Sequence, residues 1–512
     1  MSHDLLHNPL IQTDAGWHSL PGLMAAMARG EVGGFPALRP HQRPAWHMFL
    51  VQLGVMALDA AGLEEAPRGD EDWRAALANL TADFPGGEPW HLVVPDRRLP
   101  AFLQPPDPGG PKWSPVATPD ALDMLITARN HDLKGEIARK AAPQDWIFAL
   151  VSLQTMEGFS GRDNYGIARM NGGSSSRPML ALAPAQAGSA QVDPSGWWRR
   201  DVVRLLAGRR TMKGKRLLWL EPWPEGRMLE LAALDPLFIE VCRRIRLVEQ
   251  GGRITAERST SKGPRINAKE AKGHTGDPWT PVHVAQGKAL TLGERDWTHR
   301  LLVDLLFSAK REWHIPPLAR EHAQEAGEPM LLVAETFSRG NSKTDGFRSR
   351  VVPVPKAMVT QLFGDRPVSV AADILEDIAT AETALSSSLF LVGSEGDEEK
   401  RKKNLASQKV RNRINRYIAP ACEALQRQAD VLFFPELWAR MAVTEDAGFT
   451  FVRLAFLERL AGIARAEFGA ALPAIPCPSL MRPRAEVRGR DRLDRGLGRA
   501  LSKLQQPETA HG

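Results

Sequence analysis

Apolar positions along this chain fall into two textures that change near residue 360. Before it they come in short runs punctuated by Pro, Gly and Trp. PAWHMFLVQLGVMALDAAG (44–62) and DWTHRLLVDLLFSA (296–309) repeat apolar side chains every three or four positions and predict helices. LLWLEPW (217–223), MLLVAETF (330–337) and VVPVP (351–355) are compact runs that predict strands. No internal repeat of roughly 20–50 residues is visible. The expectation is an irregular α+β region.

Beyond 360 long helical periods take over. SVAADILEDIATAETALSSSLFLV, EEKRKKNLASQKVRNRINRYIAPACEALQRQ, TFVRLAFLERLAGIARAEFGAAL and a segment from about 484 to 505 predict the main helices. Short connections make neighbours antiparallel, which a four-helix bundle satisfies. SEGDEE (394–399) carries acid into a helix start, where the helix dipole favours it. On the second helix, Ala406, Val410, Ile414 and Tyr417 form an apolar stripe, and Lys402, Lys409, Arg413 and Arg416 occupy another face. That face reads either as a solvated exterior or as a cationic ridge for a displaced nucleic-acid strand. The fold class is therefore α+β: a large irregular N-terminal α+β domain, 1–360, followed by a C-terminal four-helix bundle, 361–512.

Charge sharpens this picture through its placement. The net charge is only +6, from 66 basic and 60 acidic residues. Residues 1–100 hold 12 acidic and 7 basic side chains, whereas 199–216 hold 8 basic against 1 acidic and 481–503 hold 8 against 3. Clustered cations suit a phosphate backbone, or simply solvated helix faces. Cys242, Cys422 and Cys477 lie far apart, so neither a disulfide framework nor a zinc site is expected. No run approaches the ~18 apolar residues of a membrane span, and the start MSHDLLHNPLIQ lacks a basic segment followed by an apolar one. The expectation is a cytoplasmic protein with no cofactor and no metal.

EGFSGRDNYGIARMNGGSSSRP (157–178) is the polar stretch whose composition asks for a task. Its five glycines allow close backbone approach, and its serines, asparagines and amide groups suit an anion or a base edge. The plainer reading is a solvated surface loop.

Enzyme motifs fall short. SRGNSKTDGF (338–347) has Phe337 and Ser342 where a P-loop needs glycines. GFSGR (158–162) has Arg162 where a nucleophile elbow needs glycine, which makes Ser160 a loop hydroxyl. RNHDLK (129–134) has a His-Asp pair without companions, and His41 and His47, six apart, do not share a helix face. No catalytic set is expected.

FPALRPHQRPAWHMFLVQL (35–53), LITARNHDLK (125–134), LQTMEGFSGRDNYGIARMNGGSSSRP (153–178), GDPWTPV (276–282) and SRGNSKTDGFRSR (338–350) occur in the order of the CasA family, and the chain resembles that family over essentially its whole length. CasA is the large subunit of the type I-E CRISPR surveillance complex, Cascade. The resemblance implies a non-catalytic subunit. Guide-RNA pairing reads the target, and this subunit inspects a short adjacent motif, the PAM, in duplex DNA.

The resemblance also implies site residues. A glycine loop approaches the PAM from the minor groove, matching Gly158, Phe159, Ser160 and Gly161. SRGNSKTDGFRSR matches a wedge segment that carries glutamine in some members, with Asn341, Ser342 and Lys343 here. A lysine finger precedes GDPWTPV, for which Arg265, Lys269 and Lys272 are available and Lys269 is favoured. Asn130, His131 and Lys134 match a contact with the guide RNA, and Lys402, Lys409, Arg413 and Arg416 would hold the displaced strand. Implied partners are the guide RNA, double-stranded target DNA, the subunits CasB, CasC, CasD and CasE, and an effector helicase-nuclease, with no membrane. The rival class is a nucleic-acid hydrolase with an unrecognised site.

Overall fold

The computed structural model describes residues 3–109, 111–123, 141–156, 160–172, 175–209, 214–322, 325, 327–340 and 343–505, with the side chains of 339, 340, 343–345, 503 and 505 excluded. It forms two compact units, one of Met1–Trp297 with Arg311–Lys356 and one of Thr298–Lys310 with Ala357–Gly512. The chain is α+β, with a mixed first unit and a helical second one.

The first unit is built around α2 (Arg43–Ala61), flanked by α3 (Asp70–Asn79), α4 (Pro143–Met156) and α5 (Pro194–Ala207), with α1 (Leu20–Arg29) packed on α3 and α5. The apolar period expected at 44–62 is α2, and almost its whole circumference is buried, as its lack of a polar face requires. It meets α5 through aromatic rings: His47 stacks on Trp197 with centroids 3.5 Å apart, and the Trp198 indole N–H donates to the Leu50 carbonyl at 3.1 Å. His47 Nε2 lies 2.9 Å from Asp201, and His41 Nε2 lies 2.6 Å from Asp123, so each histidine has its own carboxylate.

Sheets in this unit are small. Met330–Gly340 runs between Met179–Pro184 and Lys343–Val354, antiparallel to both. Arg253–Ser259 pairs with Ser114–Val116 and Arg244–Gln250. One sequence expectation changes. LLWLEPW is not one strand, because only Leu217 pairs and Leu218–Leu220 turns as a 3-10 helix that buries Leu218 and Trp219. SRGNSKTDGFRSR is largely strand: pairing continues past Phe337↔Phe347, with a register shift after Ser338, out to Gly340↔Lys343.

In the second unit α7 (Asp365–Val392), α9 (Gln408–Ala442), α10 (Asp446–Ala471) and α11 (Arg482–Gln505) pack as the bundle, joined by α6 (His299–Leu306) and the short α8 (Glu398–Ala406). Asp397 caps α8, accepting from the Lys400 N–H at 2.8 Å. The expected second helix is thus two, broken at Ser407, whose backbone is extended. The break resets the helical phase and corrects the apolar stripe. Ile414, Ile418, Ala421 and Leu425 face the core, while Ala406 is exposed and Tyr417 is 39% exposed. α6 belongs here because both the His299 N–H and its Nδ1 engage Asp430 of α9, at 2.5 and 2.8 Å. Among the described residues no helix is long and apolar enough to cross a membrane.

Candidate nucleic-acid interface

Residues 160–172 and 175–178 divide into an exposed turn and a buried root. In the turn, the Gly161 and Asn164 amides each donate to the other's carbonyl, at 2.7 and 3.1 Å, and Asp163 takes φ +67°. Ser160 and Gly161 are half-buried, and the Arg162 side chain is 95% exposed. The turn is tethered to one neighbouring loop: Ser261 N–H donates to the Asp163 carbonyl at 3.2 Å and the Tyr165 hydroxyl to the Lys262 carbonyl at 3.2 Å. Gly158 and Phe159 lie outside the described residues.

The root is where the polar composition is used. Arg177 donates twice to Asp277, at 2.5 and 3.0 Å, and its guanidinium lies over the Trp279 ring. Arg169, also buried, donates to the Pro236 and Phe238 carbonyls and to Thr275 Oγ1, and comes within 3.9 Å of Asp277. Ser176 Oγ reaches Thr336 Oγ1 at 2.8 Å and the Phe337 carbonyl at 2.9 Å. The surface-loop reading therefore fails for Arg169, Ser175, Ser176 and Arg177, which are buried and bonded within the protein.

Electrostatics tighten the root. Burial alone would raise the Asp277 pKa, but Arg177 and Arg169 outweigh it and hold the carboxyl below its ordinary value. Burial lowers Arg169 to about 10. Glu240, fully enclosed, is pushed up to about 7 by burial, opposed in part by the Ala168 N–H that donates to its Oε1 at 2.7 Å. Its Oε2 has no hydrogen-bond partner among the described residues.

The segment preceding GDPWTPV joins the same root. Gly273, at φ +80°, presses its backbone against Arg169 and Met170, where a β-carbon would lie 2.8 Å from the Met170 carbonyl carbon. Lys269 and Lys272, in the turn leading to Gly273, are exposed, whereas Arg265 is buried and donates to the Pro222, Leu218 and Glu221 carbonyls. Of the three cations open to the sequence, Arg265 is structural.

The hairpin is the third arm. Its base meets the root through Ser176 and through Ser338, whose hydroxyl donates to the Gly293 carbonyl at 2.8 Å. Glu335, fully buried, is bonded by Arg43 and by the Ser349 hydroxyl. Lys343 pairs by its backbone with Gly340, while Asn341 and Ser342 lie outside the described residues. Asn130, His131 and Lys134 also lie outside them. Thus the buried roots of the three segments expected to touch DNA are brought together.

The cationic clusters separate by fate. Within 199–216, Arg200 is bonded to Asp201 and Glu325, Arg209 to Asp235 and Asp59, Arg216 to Asp59, and Lys215 to Glu221, so these four cations are neutralised by carboxylates of the protein. In the second unit Lys402 pairs with Glu399 at 2.7 Å on α8. Lys409, Arg413 and Arg416 are exposed on α9, with no ion pair among the described residues. Arg162, which the sequence offered only as the residue that spoils a nucleophile elbow, is an exposed cation of the turn, 3.9 Å from Asp163.

Neither a protein-family model nor a curated protein matches the chain. Solved structures do. CRISPR-associated protein Cse1 from Acidimicrobium ferrooxidans is similar with a TM-score of 0.64 at 18% identity, covering 99% of both chains. CasA from Thermus thermophilus is similar with a TM-score of 0.64 at 15% identity, over 98% of this chain and 100% of that one. Thermobifida fusca Cse1 gives 0.57 at 15%, over 97% and 98%. Likeness over the full length of the chains, at identities of 15–18%, means that this protein has the Cse1/CasA fold.

Proposed function

We propose that this chain is the CasA-type large subunit of a type I-E CRISPR Cascade complex, a binding rather than catalytic component that inspects the PAM in duplex DNA. The observation that carries the reading is the shared root. Arg169, Arg177 and Asp277 anchor the segment that follows the Ser160–Asn164 turn, the Lys269 turn packs on that anchor through Gly273, and the hairpin joins it through Ser176. Three side-chain-poor or cationic segments thus spring from one base.

The chemistry follows from the groove. A minor groove about 6 Å wide admits backbone more readily than bulky side chains, so Gly158, Phe159, Ser160 and Gly161 approach base edges. Arg162, Lys269 and Lys343 supply cations to the flanking phosphates, making affinity fall steeply with salt. Because A·T and T·A look alike from this side, several PAMs are accepted. Binding offsets unstacking of the first step, which costs on the order of a few kcal/mol, and guide pairing starts there. Asn130, His131 and Lys134 contact the guide RNA, Lys409, Arg413 and Arg416 receive the displaced strand, and the assembled CasB, CasC, CasD and CasE particle with this chain recruits the helicase-nuclease.

Reconstitution of the guide-bearing particle with and without this chain, followed by selection from a randomised-PAM duplex library, tests the reading. Flanking-sequence enrichment should require the chain. Equal enrichment without it overturns the proposal.

A further inference from the structure

Tyr417 is one of two tyrosines in the chain and, against its expected place in the core, the residue is 39% exposed on α9. The register around it is specific. Lys409, Arg413 and Tyr417 follow one another at intervals of four residues, so they lie along one face, with Arg416 beside them. At about 1.5 Å per residue, the cations from 409 to 416 span about 10 Å, on the order of two phosphate steps of an extended strand.

Several cations of the bundle are already held by carboxylates. Lys402 pairs with Glu399, Arg440 and Arg453 with Asp377, Arg465 with Asp494, and Arg492 with Glu398. Lys409, Arg413 and Arg416 have no such pair among the described residues, so their charge remains available to a ligand.

We infer that Lys409, Arg413, Arg416 and Tyr417 form a single-strand-selective track in which the cations follow phosphates and the Tyr417 ring stacks on one base. This rests on the reading of α9 as the displaced-strand face and adds what that reading lacks. Charge alone holds duplex and single strand alike, whereas an exposed ring engages only bases that are unpaired. Stacking tolerates any base, as an arbitrary displaced strand requires. Lys402 is outside the track, because its charge is paired and the break at Ser407 puts it on another helix.

Fluorescence anisotropy of the full-length chain with labelled oligo(dT) and with a duplex of equal length, across a salt series, tests this. Tyr417→Ala should weaken oligo(dT) binding roughly 5- to 150-fold, leave duplex binding unchanged and leave the salt slope unaltered. Tyr417→Phe should bind oligo(dT) like the parent. Arg413→Gln and Arg416→Gln should each lower the single-strand salt slope by roughly 0.7. If Tyr417→Ala binds oligo(dT) normally while the arginine variants lose slope, the stacking inference is wrong and the cationic face stands. If none of the three loses affinity, both fall.

Discussion

Arg177 and Asp277 share two hydrogen bonds, at 2.5 and 3.0 Å, across a hundred residues of sequence, with both side chains about 1% exposed. Breaking a buried pair strands the surviving charge, at a cost of about 3–5 kcal/mol. Asp277→Asn should therefore destabilise the first unit by that amount in urea unfolding, and PAM-duplex binding should weaken with it. A loss below about 1 kcal/mol would mean that the pair behaves as a surface ion pair does.

Glu240 ties pH to the same root. Its pKa in the fold, about 7, stands above the ordinary 4.5 because burial disfavours the carboxylate. A raised carboxyl pKa means that the folded state binds the proton more tightly than the unfolded chain. The stability this group contributes is full below pH 4.5 and is lost as pH rises through 7. Glu240→Gln removes the titration, so the stability of wild type relative to the variant should fall by about 3 kcal/mol between about pH 4.5 and 8. Guanidinium chloride unfolding of both proteins at about pH 4.5, 6 and 8 checks this, and parallel pH dependences would exclude the ionisation.

These three residues mark where sequence reading stops. The bundle was legible because its signal is periodic and local: the buried Ile374, Ile378, Leu385 and Leu389 repeat at helical spacing within one segment. The strands from Met330 and from Val351 were legible likewise, though not the pairing that extends them toward Gly340 and Lys343. What escaped depends on partners far away in the chain. Arg162 and Arg177 sit fifteen positions apart in one polar stretch, and only Asp277 decides that the second is buried while the first meets solvent. In the 199–216 cluster Arg200, Arg209 and Arg216 look like solvent-facing cations until Glu325, Asp235 and Asp59 pair with them. Ser407 ends a helix through its extended backbone, with no glycine or proline at the break.

Gly273 offers a test of the contact between the lysine turn and the root. Alanine there takes the left-handed region, costing about 1–2 kcal/mol, and also drives its β-carbon to 2.8 Å from the Met170 carbonyl carbon. Gly276 shares the positive φ, at +77°, but a β-carbon there meets only Pro236 Cβ at 4.0 Å. Gly276→Ala should show the conformational cost alone, while Gly273→Ala should be less stable and bind PAM duplex less well. Equal thermal unfolding of the two would mean that the close approach carries no energy.

The hairpin and the glycine turn should separate in what they do to DNA. Gly161→Asp places bulk and negative charge on the turn closed by the Gly161 and Asn164 amides, so duplex targets should lose PAM discrimination. Lys343→Ala should weaken binding of PAM-containing duplex while leaving a target already unpaired beside the PAM nearly unaffected, because opening the first step is then no longer required. Gel-shift titration of the reconstituted particle with the paired and the pre-opened target distinguishes these outcomes. Equal loss on both targets for Lys343→Ala would reduce the hairpin to an electrostatic contact, and undiminished PAM discrimination by Gly161→Asp would remove the turn from the interface.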